Sequence, residues 1–183
     1  MFHANTRRLI GDWQELKADR LAPARTDIQP ADFREILTQL FILGGDGPAA
    51  DTFRLAGGLL FDLHARELRG LSFLGLWPYP DRSAVAKALA DARANGRPVI
   101  LEASAWTAEG YEASLEIVLA PLADAHGAID RVLGLYQPTS SLRGLLGRPV
   151  VDLTLHAVKG PAGAVEPRPS RLRLAAVDGE RLA

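Results

Sequence analysis

The stretch from Phe53 to Arg82, FRLAGGLLFDLHARELRGLSFLGLWPYPDR, decides how this chain folds. It opens as a strand over Thr52–Leu55, halts at Gly57-Gly58, and continues as short apolar pieces broken by glycine and proline. Its apolar residues neither alternate for long nor hold one helical face, so neither regular period accounts for it. A segment this irregular and this apolar wraps a core instead of crossing it.

Upstream, Leu9, Ile10, Trp13 and Leu16 fall at helical spacing between about Asn5 and Arg20, with charge on the other face. Asn5 or Thr6 is the expected cap. That stripe has two readings: packing on its own domain, or a dimer interface through Leu9, Trp13 and Leu16. Pro23, Arg25, Asp27 and Pro30 punctuate a linker, and Pro30 suits the first turn of a short helix over Ala31 to Leu37. Leu40-Phe41-Ile42-Leu43 reads as a buried strand, with Asp51 to Ala56 as its hairpin partner. The intervening Gly44-Gly45-Asp46-Gly47-Pro48 is turn chemistry. A phosphate cradle there would need a following helix N-terminus and usually a lysine, and neither is present.

Downstream, Asp81 is the expected N-cap of a long helix whose Val85, Ala88, Leu89 and Ala92 share a face. Asn95-Gly96 and Pro98 end it. Three strands follow. Val99–Thr107 leads to a Glu109-Gly110 turn. Tyr111–Leu119 alternates, with Ala113, Leu115, Ile117 and Leu119 facing one way and Glu112, Ser114 and Glu116 the other. After an Asp124–Gly127 turn, Arg131–Gln137 closes the core. Hairpins at both ends with helices between them predict an α+β domain, a five-stranded antiparallel sheet with helices on one face. The expected cavity lies between the long helix and the sheet. The boundaries are an N-terminal helix and linker over 1–30, a core over 31–138, and a partly flexible C-terminal extension over 139–183. Within the extension, Val151, Leu153, Leu155 and Ala157 alternate as a further strand. Arg171-Leu172-Arg173-Leu174 forms a basic, alternating run that would pair onto a sheet edge or await a partner.

Composition narrows the function classes. The chain has 183 residues, 48% hydrophobic and 23% charged, which suits one globular domain with an extension. It has no cysteine, which excludes disulfides, cysteine-ligated zinc and thiol nucleophiles. MFHANTRR lacks a signal peptide's apolar run and no stretch reaches membrane-spanning length, so a cytoplasmic location is expected. The net charge is −1, split as −4 over residues 1–138 and +3 over 139–183, far below a nucleic-acid footprint.

The element order and its particular residues resemble a PAS domain, and more closely a bacterial family of stand-alone PAS proteins formerly called a domain of unknown function. The match runs over about residues 5–138. Trp13 and Pro23-Ala24-Arg25-Thr26-Asp27-Ile28-Gln29-Pro30 begin it. Its most specific features are Phe53-Arg54-Leu55-Ala56-Gly57 and Arg66-Glu67-Leu68-Arg69-Gly70, followed by Leu76-Trp77 and Asp81-Arg82. Asp130-Arg131-Val132-Leu133-Gly134-Leu135 and Pro138 close it. Gly58 stands where a threonine is usual, and Ala65 where a glycine is usual. The resemblance implies a PAS-like sheet and a non-enzymatic sensory or regulatory module that binds a small molecule or a protein effector. No kinase, cyclase or DNA-binding segment is read within these 183 residues, so signalling is expected to go through a protein partner, with a homodimer expected. Haem-binding PAS domains take their axial histidine from the long helix and light-sensing ones need a cysteine; both residues are missing here, and a non-covalent flavin stays open.

Single residues carry two readings each. Arg54, Arg66, Glu67 and Arg69 pair with one another and cap carbonyls, or Arg54 and Arg66 grip an anionic ligand. Trp77, Tyr79 and Trp106 fill core, or line a cavity for a flat ligand. His3, His64, His126 and His156 have no metal-ligand spacing, and no serine sits in a Gly-x-Ser-x-Gly setting. A small cavity enzyme, an isomerase or hydrolase, would need a buried carboxyl group with a raised pKa.

Overall fold

The computed structural model describes residues 1–45 and 51–161. Three helices, α1 (Ala4–Lys17), α2 (Gly58–His64) and α3 (Tyr79–Asn95), accompany six strands among these residues. The strands are β1 (Leu40–Gly44), β2 (Phe53–Ala56), β3 (Val99–Thr107), β4 (Glu112–Ala123), β5 (Ile129–Pro138) and β6 (Val150–Lys159). They form one antiparallel sheet in the order β2-β1-β5-β4-β3-β6. The expected five strands are the first five positions of that order. The sixth comes from the extension, whose alternating Leu153 and Leu155 complete the core beside β3. The expected Arg171–Leu174 run and most of the glycine-rich loop lie outside the described residues.

Helices cover both faces. On the inner face α2, α3 and the turns between them enclose Phe41, Phe53, Phe73, Trp77, Leu89, Leu101, Ile117 and Tyr136. The aromatic rings touch in sequence, with centroids 5.5 Å apart for Phe41–Phe53, 5.6 Å for Phe41–Phe73 and 5.9 Å for Phe73–Trp77. Gly134 makes this possible, because a Cβ there would sit 2.0 Å from Cζ of Phe41. On the outer face α1 lays Leu9, Ile10 and Trp13 over Leu40, Val118, Ala120, Leu133 and Leu135. The Trp13 indole N–H donates to the Pro121 carbonyl at 2.7 Å, which fixes the helix against β4.

The irregular stretch wraps as expected. Its main chain folds back on β2, with Phe53 N–H donating to Leu71 O at 2.9 Å and Gly70 N–H to Phe53 O at 2.8 Å. A short edge strand is thereby closed by its own connection. The short helix expected over Ala31–Leu37 is instead two 3-10 turns, Pro30–Phe33 and Leu37–Gln39, which place Phe33 and Ile36 in the outer core. The cap of α1 is His3, whose Nδ1 accepts the Asn5 N–H, while Thr6 is buried against the sheet. Pro78, not Asp81, precedes α3. Asp81 lies in its first turn, buried, and accepts the Leu155 N–H at 3.0 Å, so the carboxylate ties the helix to β6. A negative group there also complements the helix dipole.

Ala65, which ends α2, has φ 49° and ψ 34°, the left-handed conformation. An L side chain in that conformation costs about 1 kcal/mol, which a glycine there would not incur. Ala65→Gly is expected to stabilise the protein by about 0.5–1 kcal/mol. Urea unfolding would measure it, and a midpoint below that of the natural chain would contradict the strain.

Candidate functional site

A ligand held between α3 and the sheet would have to compete with the chain's own side chains. Phe73, Val85, Leu89 and Tyr136 are fully buried there, and Trp77 is 1% exposed. Three polar groups interrupt this apolar space. The Trp77 indole N–H is buried and has no hydrogen-bond partner among the described residues. Tyr136 Oη lies 3.4 Å from His64 Nε2, the rings meeting edge to face at 5.9 Å. Burial, and then the nearby Arg66 charge, push the His64 pKa down to about 4, against a main-chain hydrogen bond with Val150 that raises it. Burial also raises the Tyr136 pKa. Both groups are therefore neutral near pH 7, and a neutral imidazole and phenol are what a low-dielectric core accepts.

The five residues read as ligand contacts do not meet. Trp77 is in the inner core. Trp106 alternates with inward-facing Ala105 and lies on the outer face of β3, across from Glu112 and Asp152. Arg54 is exposed on β2, its Nε donating to Gly44 O at 3.1 Å. Arg66 is exposed after α2, and Tyr79 is 85% exposed at the start of α3. Leu9 and Trp13 are buried on their own sheet, and Leu16 is half-buried at the rim.

The outer face holds a second polar cluster that sequence reasoning missed. Beside α1, over parts of β3, β4 and β6, a cleft of about 290 Å³ is lined by Glu102, Ser104, Glu112, Ser114, Glu116 and His156, among others. Ser104 Oγ donates to the Glu112 carboxylate and lies 2.7 Å from His156 Nε2. The hydroxyl thus joins Glu112 of β4 and His156 of β6 across β3. The carboxylates Asp81 and Glu116 are buried, and each accepts a main-chain N–H. Among the described residues no group of three or more His, Cys, Asp or Glu could hold a metal ion. No helix among them is long and apolar enough to cross a membrane.

A family model described as PAS domain matches residues 1–137, taking in α1 and the first five strands. The chain belongs to the PAS domain family. Solved structures similar to this PAS protein include a light-oxygen-voltage domain studied with a flavin analogue, at 13% identity, with a TM-score of 0.49, 61% of this chain and 84% of that one covered. A light-oxygen-voltage protein of Rhodobacter sphaeroides has 15% identity and a TM-score of 0.47, with 62% and 69% covered. VqmA of Vibrio cholerae has 12% identity and a TM-score of 0.47, with 62% and 52% covered. Comparison with curated proteins gives no match.

The buried histidine sets a pH dependence. His64 titrates near 6.5 when unfolded and near 4 in the folded PAS core, so the unfolded chain binds more protons between those values. Stability carried by the neutral ring is complete above pH 6.5 and is lost as the pH falls toward 4. Urea unfolding at pH 7.5 and 4.5 should show the natural chain losing about 2.5 kcal/mol more than a His64→Leu variant. Equal losses in the two proteins would contradict this account.

Proposed function

We propose that this PAS protein is a non-enzymatic sensory or regulatory module of the cytoplasm that acts by binding a protein effector. The observation that carries this reading is the filled inner space: Trp77, Phe73, Val85, Leu89 and Tyr136 occupy the volume between α3 and the sheet. A module whose core is closed by its own side chains responds most directly at its surface, where docking needs no large void to open. The partner is a second protein chain, and neither nucleic acid nor a membrane is part of the reading. A homodimer through α1 would form on its outward residues, because Leu9 and Trp13 already serve the chain's own sheet.

One observation favours a second reading, a dedicated small-molecule sensor. The unpartnered Trp77 N–H and the long Tyr136–His64 contact are polar groups of the inner core with bonding capacity left over. A ligand acceptor reaching Trp77 would satisfy the first. The enzyme alternative has no comparable support, since the buried carboxylates Asp81 and Glu116 are partnered.

Native mass spectrometry of the freshly purified full chain, compared with its denatured mass, separates the two readings. The docking reading expects the native mass to be a whole multiple of the chain mass. A bound excess released on denaturation would overturn it in favour of the sensor and identify the occupant.

A further inference from the structure

The start of α1 and the end of β6 meet at one point on the outer face. Lys159, the last residue of β6, forms an ion pair with Glu102 on β3, the side chains 19% and 35% exposed. Its Nζ also lies 5.7 Å from the ring centroid of Phe2, just ahead of α1. Glu102 stands directly across the strand pair from Glu116 of β4. Carboxylates in that relation repel, and here each is held by a different flank of the domain. Lys159 neutralises Glu102, while both oxygens of Glu116 accept the main-chain N–H of His3, at 3.1 and 3.0 Å. Glu116 is 7% exposed, so water screens its repulsion poorly.

We propose that Lys159 couples β6 to α1, so that the two flanking elements loosen or tighten together. The tie works in two ways. The ammonium group attracts the face of Phe2 directly. It also holds Glu102 as a neutralised pair; without it, a second charge bears on the carboxylate that anchors His3. An event that draws β6 away from β3 is thereby felt at the start of α1 across the outer face, without rearranging the inner core. Because a coupling between two sites is reciprocal, loosening α1 at Phe2 weakens the hold on β6 equally. A separate contact, Asn5 Nδ2 donating to Gln137 Oε1 at 2.9 Å, keeps α1 on the sheet when this tie is cut.

Amide hydrogen exchange of the full chain, followed residue by residue by NMR, tests the coupling. Lys159→Met keeps the aliphatic stem and removes the charge. Exchange at the His3 amide and from Arg7 to Trp13 is expected to speed up by about fivefold or more, with α3 unchanged. Phe2→Ala should speed exchange over residues 155–159 in return. Adding Glu102→Gln to Lys159→Met removes the uncompensated charge and should slow α1 exchange again relative to Lys159→Met alone, leaving the part due to the lost attraction to Phe2. Changes confined to β6 in Lys159→Met, or an unaltered β6 in Phe2→Ala, would overturn the coupling. Failure of Glu102→Gln to slow α1 exchange again would overturn its electrostatic basis.

Discussion

Burial of β4 on both faces is the constraint on which the rest of the structure depends. From Leu115 to Ala123 every residue of that strand is buried, and a sheet with such a strand at its centre must be covered twice. The inner face takes α2, α3 and the irregular 53–82 stretch, and the outer face takes α1 with the 3-10 turns that follow it. Each cover is tied to the sheet by a polar contact as well as by apolar area. Trp13 reaches the Pro121 carbonyl from one side, and Asp81 reaches the Leu155 amide from the other. Both contacts bring a polar group out of water with its partner in place, which keeps the cost of burial low.

The same constraint sorts the polar residues into two populations. Apart from the Asp81 carboxylate held by the Leu155 amide, the polar groups of the inner core are neutral: an indole, an imidazole held unprotonated by burial, and a phenol held protonated by it. On the outer face, where α1 stops short of β3 and β6, polar and charged residues are joined by long-range contacts among Ser104, Glu112 and His156 and between Lys159 and Glu102. Any response at the inner core must repack close-fitting side chains, whereas a response at the outer face only exchanges hydrogen bonds and ion pairs. A PAS module built this way has its adaptable groups on the face where both flanking elements also converge.

Much of the architecture was legible in residue order. The strand runs, the glycine and proline breaks and the Gly96 stop of α3 are local, and local conformational preference accounts for them. The irregular stretch could be placed as a wrapping segment because it failed both periodic tests. The 31–37 segment departs from its expected helix for a tertiary reason: Pro30 starts a turn, but Phe33 and Ile36 are drawn to the outer core and the turns stay 3-10. The candidate site was hardly legible. Trp77 and Trp106 look equivalent in sequence, yet alternation along β3 puts Trp106 on the opposite side of the sheet. His156 showed no carboxylate neighbour because Ser104 links it to Glu112, across three strands.

By itself the sequence determined the kinds and order of the elements, the turns between them and the resemblance to PAS domains, since these depend on residues close together in the chain. It also determined that no cysteine lies within these 183 residues. Tertiary structure decided which face each strand presents, that the extension supplies a sixth strand, and that the α1 stripe is spent on its own sheet. It alone brought Phe2, Glu102, Glu116 and Lys159 to one point. Such meetings depend on sheet register and on bulges such as that between Glu102 and Ala103. A shift of one residue in a strand turns every side chain to the other face, and the packing of the whole molecule selects the register.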